Sequence, residues 1–128
     1  MLSVAVMTAM GLTSCKNETQ KKTETTVTGV SKEMILTELT FGVRGNCGMC
    51  KKTIEKAANS VDGVTRASWD KDKKKIDISF ETSKTSEMAI HKAIAASGYD
   101  TDKIPGNEDA YKNLPNCCQY DHSMQMNQ

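Results

Sequence analysis

Cys47 and Cys50 are separated by two residues, a spacing that lets a single turn of chain bring two sulfurs to one ion. Thiolate is a soft ligand and selects Cu(I), Zn(II), Hg(II) or Cd(II). Cys50 opens a predicted helix, where unpaired backbone N–H groups and the helix dipole favour negative charge. A thiol so placed loses its proton more readily, so protons compete less with a metal. Lys51 and Lys52 add positive charge beside it. Two sulfurs suffice for linear Cu(I) or Hg(II), whereas a structural zinc site takes four ligands. Cu(I) is therefore the first candidate, with Hg(II), Zn(II) and Cd(II) as alternatives. Two rival readings need no metal: a structural disulfide, or a thiol–disulfide redox couple.

A second group of soft ligands lies near the other end: Cys117, Cys118, His122, Met124 and Met126. Thioether and imidazole both suit copper, so these residues are a candidate second metal site. The alternative is a disordered tail carrying an oxidised pair. Direct bridging of neighbouring cysteines is strained, because their Cα atoms are only about 3.8 Å apart. The fifth cysteine is Cys15. Residues 1–13 are apolar and uncharged, and Leu12-Thr13-Ser14-Cys15 follows. That run is too short to span a bilayer and reads as an export signal. It resembles a bacterial lipoprotein signal, which implies lipidation of Cys15 and a membrane-anchored protein facing the periplasm. An ordinary secretory signal is the alternative. Lipid on Cys15 leaves four cysteines in two local pairs, which accounts for an odd total.

Other chemistries find little support. The net charge of +1 across 128 residues argues against nucleic acid. Asp70, Asp72 and Asp77 fall at turns and strand edges, with no carboxylate pair placed for acid–base work. No phosphate-cradling glycine loop or nucleophile–base pattern occurs. Thioredoxin-like proteins also carry CxxC, but as Trp-Cys-x-Pro-Cys; the two prolines here, Pro105 and Pro115, lie elsewhere. Lys73, Lys74 and Lys75 are read as a solvated turn, with a docking patch for an acidic partner as the alternative. His91 is expected on a solvated helix face, and Met88 as filler.

The elements that must position the first cysteine pair follow from periodicity. Residues 16–33 are rich in Thr, Lys and Glu and cannot bury enough surface to order themselves. They read as a tether reaching roughly 20–25 Å. Ile35, Thr37, Leu39, Phe41 and Val43 alternate as a strand. Gly45 and Asn46 break it into a loop that holds Cys47. Ile54, Ala57, Ala58 and Val61 follow helical spacing from Cys50 until Asp62-Gly63. Thr65, Ala67 and Trp69, then Ile76, Ile78 and Phe80, alternate as two more strands. Thr85 is a candidate N-cap for a second helix through Ile90, Ala93, Ile94 and Ser97, ended by Gly98. Residues 99–104 are a candidate last strand. The order βαββαβ predicts an α+β, ferredoxin-like unit over residues 34–104, an antiparallel sheet with both helices on one face. Residues 105–128 are left as a Cys-, Met- and His-containing tail, one of two flexible ends on a core of about 70 residues.

The loop and its flanks resemble the heavy-metal-associated domain family. The residues that carry the likeness run Phe41-Gly42-Val43-Arg44-Gly45-Asn46-Cys47-Gly48-Met49-Cys50-Lys51-Lys52-Thr53-Ile54, with Val61-Asp62-Gly63-Val64 and Ala96-Ser97-Gly98-Tyr99 matching later turns. The family includes copper chaperones, a periplasmic mercury-binding protein and domains of metal-pumping ATPases. The resemblance implies a binding module rather than an enzyme. The ion would be held by Cys47 and Cys50 and passed to a metal-transporting ATPase or efflux assembly through a three-coordinate intermediate. Cys47, in the loop, would be the more mobile ligand, and Tyr99 would lie near the site. The family's usual Gly-Met-Thr-Cys is here Gly45-Asn46-Cys47, one residue shorter. Met49, between the cysteines, is the candidate to replace the missing methionine that packs under the loop.

Overall fold

The computed structural model describes residues 34–127. Cys15 and the expected signal and tether lie outside the described residues. Strand β1 covers Leu36–Gly42, helix α1 Gly48–Asn59, β2 Val64–Asp70, β3 Lys75–Glu81, α2 Glu87–Ala96 and the short α3 Glu108–Lys112, followed by a 3₁₀ turn over Asn116–Cys118. The three strands form one antiparallel sheet in the order β1-β3-β2.

The register explains the core. Phe41 and Trp69 both pair with Ile76, and Leu39 and Ala67 both pair with Ile78. Strand side chains alternate between faces, so these residues share one side of the sheet. Against that side lie Ile54 and Ala58 of α1 and Ile90 and Ile94 of α2, all fully buried. This is the ferredoxin-like arrangement predicted above. Among the described residues no helix is long and apolar enough to cross a membrane.

Local departures have local causes. A bulge between Val64 and Arg66 shifts the start of β2, so Val64 rather than Thr65 pairs with Phe80. Ile35 precedes the paired stretch and is exposed. Ser86, not Thr85, caps α2, accepting from the Ala89 N–H. The fourth strand shrinks to a single bridge between Val43 and Thr101. Thr101 turns the chain there: its hydroxyl takes the N–H groups of Lys103 and Ile104, and its own N–H bonds the Ile104 carbonyl at 2.8 Å. Pro105 then offers no donor to extend a ladder.

Two expectations are overturned. His91 is not solvated but fully buried: its ring stacks on Phe41 at 3.8 Å and Nδ1 lies 2.8 Å from the Thr101 hydroxyl. Burial, the dominant cause, lowers its pKa, against the opposing charges of Asp102 and Glu87. The tail is not a loose end either. Asn107 N–H donates to the Ala95 carbonyl at 2.8 Å, and Tyr120 is buried among the core aromatics. Gly98, at φ +98°, and Gly106 permit this: a Cβ on Gly98 would stand 2.8 Å from the Tyr111 nitrogen, and one on Gly106 2.8 Å from Gly98.

Candidate metal centre

The loop from Val43 to Cys47 is braced from below. Trp69 Nε1 donates to the Val43 carbonyl at 3.1 Å, and Lys74 Nζ donates to the Gly45 carbonyl at 2.7 Å while lying over the Trp69 ring. A Cβ at Gly45 would come within 2.9 Å of the Trp69 ring, so only glycine lets the loop sit this low. Trp69, not Met49, is the side chain beneath the loop; Met49 is 53 % exposed. Its thioether instead lies 3.7 Å from the Cys117 sulfur.

Helix α1 begins two residues before Cys50, and Cys47 is its N-cap, with extended backbone at φ −145° and ψ −179°. The Cys47 carbonyl accepts the first helical bond, from the Lys51 N–H at 3.1 Å. Cys47 is thus fixed at the helix threshold rather than free in a loop. Its sulfur faces the unpaired N–H groups of the first turn. The Cys50 N–H is the largest influence and the Met49 N–H assists, and together, against the opposing effect of burial, they hold the thiol down to about 6. Cys50 sits one turn in and is fully buried, with the Asn46 N–H 3.3 Å from its sulfur. The two sulfurs are 3.6 Å apart and both thiols are free.

The tail brings its own cysteines to the same place. Cys47 Sγ lies 3.8 Å from Cys118 Sγ and 3.8 Å from Cys117 Sγ. The sulfurs of Cys47, Cys50 and Cys118 all lie within 4.8 Å of one another. Cys118 is buried and Cys117 exposed, because successive side chains of a 3₁₀ turn point about 120° apart. Burial, first among the causes, pushes the Cys118 thiol far above its ordinary range. Asn46 Nδ2 ties the loop to the turn through the Cys117 carbonyl at 3.3 Å. Tyr99 is fully buried, with the sulfurs of Cys50 and Cys118 beside its hydroxyl, which has no hydrogen-bond partner of good geometry.

The second cluster expected from sequence does not assemble. Cys117 and Cys118 join the first pair, while their supposed co-ligands hold the tail elsewhere. His122 Nδ1 lies 2.7 Å from Asp100 Oδ2, and its ring packs on Tyr111 and Tyr120. The Met124 carbonyl accepts from Arg44 Nε at 2.6 Å, and Met126 lies against Gly42. Asp100 is the hub that sequence reasoning missed. It binds Arg44 at 3.1 Å, His122, and the Gly106 N–H at 2.7 Å, and these partners hold its carboxyl below the ordinary range despite burial. Tyr120 locks beside it, its hydroxyl donating to the Gly98 carbonyl and accepting from the Asp100 N–H, both at 2.8 Å.

Residues 41–100 match the heavy-metal-associated domain. The copper chaperone CopZ of Staphylococcus aureus is 34% identical over 55 residues, which are 43% of this chain and 81% of CopZ. Oxidized MerP from Ralstonia metallidurans CH34 superposes with a TM-score of 0.51 at 29% identity, over 53% of this chain and 96% of MerP. The water-soluble region of the P-type ATPase CopA from Bacillus subtilis gives 0.51 at 25% identity, over 55% of this chain and 47% of that one. Cys117 and Cys118 lie beyond the matched residues.

Proposed function

The chain belongs to the heavy-metal-associated domain family, and from that premise we propose that it binds a soft metal ion, Cu(I) before Hg(II), Zn(II) or Cd(II), and passes it on. One observation carries the reading: two free thiols 3.6 Å apart at a helix threshold, one already acidified and partly open to solvent. Cys47 and Cys50 are the ligands. An acceptor thiolate enters, forms a three-coordinate intermediate, and leaves with the ion. The acceptor we favour is a copper-transporting ATPase domain or efflux assembly, in keeping with the likeness to CopA. The protein acts as a carrier rather than an enzyme. We further propose that Cys15 bears lipid and that the domain is exported to the bacterial periplasm; radiolabelled palmitate incorporation lost in Cys15→Ala tests this.

The central experiment is an anaerobic Cu(I) titration against a competing chelator. One ion should bind tightly per chain, and Cys47→Ser or Cys50→Ser should weaken binding by at least about tenfold. Insulin reduction by the thiols, without competitive Cu(I) uptake, would establish the redox reading instead.

A further inference from the structure

We propose that Cys118 is a third ligand to the same ion, so that the C-terminal segment converts the open two-sulfur site into a closed trigonal thiolate centre. The inference rests on the metal-binding reading above and names its coordination.

Three observations carry it. The first is geometric. An ion bonded to two opposed sulfurs at about 2.3 Å each holds them about 4.6 Å apart, whereas three sulfurs around one ion stand about 4 Å apart. Cys47 and Cys50 are separated by 3.6 Å and Cys47 and Cys118 by 3.8 Å, with all three sulfurs within 4.8 Å. The two edges at Cys47 suit trigonal coordination, and the Cys47–Cys50 separation is too short for a linear pair.

The second is an orphaned donor. Tyr99 is fully buried and its hydroxyl lacks a partner, yet it lies beside Cys50 and Cys118. Most buried hydroxyls in folded proteins are paired, and an exception calls for a cause, an absent ion among them. Metal binding turns the neighbouring thiols into thiolates, releasing their protons to solvent. A thiolate is the acceptor that this O–H lacks.

The third is how firmly the segment is anchored. Asn46 bonds the Cys117 carbonyl, Tyr120 locks onto Gly98 and Asp100, and Tyr111 Oη donates to the Tyr120 carbonyl at 2.7 Å. The third sulfur is therefore pre-placed, with little ordering cost left for binding. Cys118 occupies the position an acceptor thiolate would enter, so release requires its displacement. Cys117 remains outside the triangle at the exposed rim, 3.8 Å from Cys47.

X-ray absorption at the copper edge, on the full chain loaded anaerobically with one equivalent of Cu(I), tests this. Wild type and Cys117→Ser should show three sulfurs around copper. Cys118→Ser should show two, shorter, with Cu(I) affinity lowered by at least about tenfold. Two sulfurs in wild type, or three in Cys118→Ser, would overturn the proposal while leaving the carrier reading intact. No Cu(I) uptake by wild type would overturn both. Because Cys118 is buried, its replacement risks unfolding the segment; the sulfur counts of wild type and Cys117→Ser together decide the matter without that variant.

Discussion

Cys47 shows how one backbone position sets a chemical property. As N-cap it faces N–H groups that have no helical partners, and its thiol is held near 6, against an ordinary value of about 8.5. Iodoacetamide labelling of the reduced protein, localised by mass spectrometry, should give Cys47 a rate profile with its midpoint near 6. Cys118, buried and pushed upward, should stay unlabelled through neutral pH. A Cys47 profile rising only above about pH 8 would contradict the capping account. Gly45 makes a second prediction at this scale. Gly45→Ala drives a methyl into Trp69 and should cost about 1–3 kcal/mol in urea unfolding. The meeting of the two CxxC sulfurs was legible in residue type and spacing alone. The position of the helix start was not, because no capping side chain marks it: Cys47 makes no side-chain cap bond.

At the scale of elements, the three strands and the two longer helices announced themselves through period, while the short α3 and the 3₁₀ turn of the tail did not. The bulge at Thr65, the turn made by Thr101 and the burial of His91 are departures within the periodic elements and their ends. His91 reads as solvated from its residue type, although its neighbours in sequence are apolar apart from Lys92, and Phe41 of β1 stacks on it inside. The groups around it are Thr101, Asp102, Glu87 and Lys103; burial, with the Lys103 charge, outweighs the two carboxylates and lowers its pKa below 6.5. The unfolded chain therefore takes up a proton near 6.5 before the folded one does. The contribution of His91 to stability is complete above that value and is lost as pH falls through and below it. The urea midpoint of wild type should drop between pH 7.5 and 5.5 more steeply than that of His91→Gln. Parallel slopes would show that the histidine is solvated after all. Ser86→Ala should remove the cap of α2 at a cost of about 1 kcal/mol, whereas Thr85→Ala should cost little.

For the molecule as a whole, the main surprise is that residues 107–124 pack onto the core, with Cys118 and Tyr120 buried in it and Tyr111, Leu114 and Met124 against it. Their composition is polar, and the residue that seats them, Tyr120, finds its partners far back in the sequence, at Gly98 and Asp100, while Tyr111 braces it through its carbonyl. Local reading has no access to such contacts. Tyr120→Phe would leave the buried Asp100 N–H and Gly98 carbonyl unpaired and should cost about 1–3 kcal/mol. Its thermal unfolding should also expose Cys50 and Cys118 to alkylation at a lower temperature than in wild type.

Strand β1 has a further consequence. It enters at Leu36 and runs seven residues to Gly42, just before the cysteine loop. Extended chain rises about 3.3 Å per residue, so the two ends of β1 stand about 20 Å apart, and the cysteine loop follows the far one. Leu36 thus lies at the end of the strand away from the loop, and among the described residues Cys47 and Cys117 are the cysteines that reach solvent.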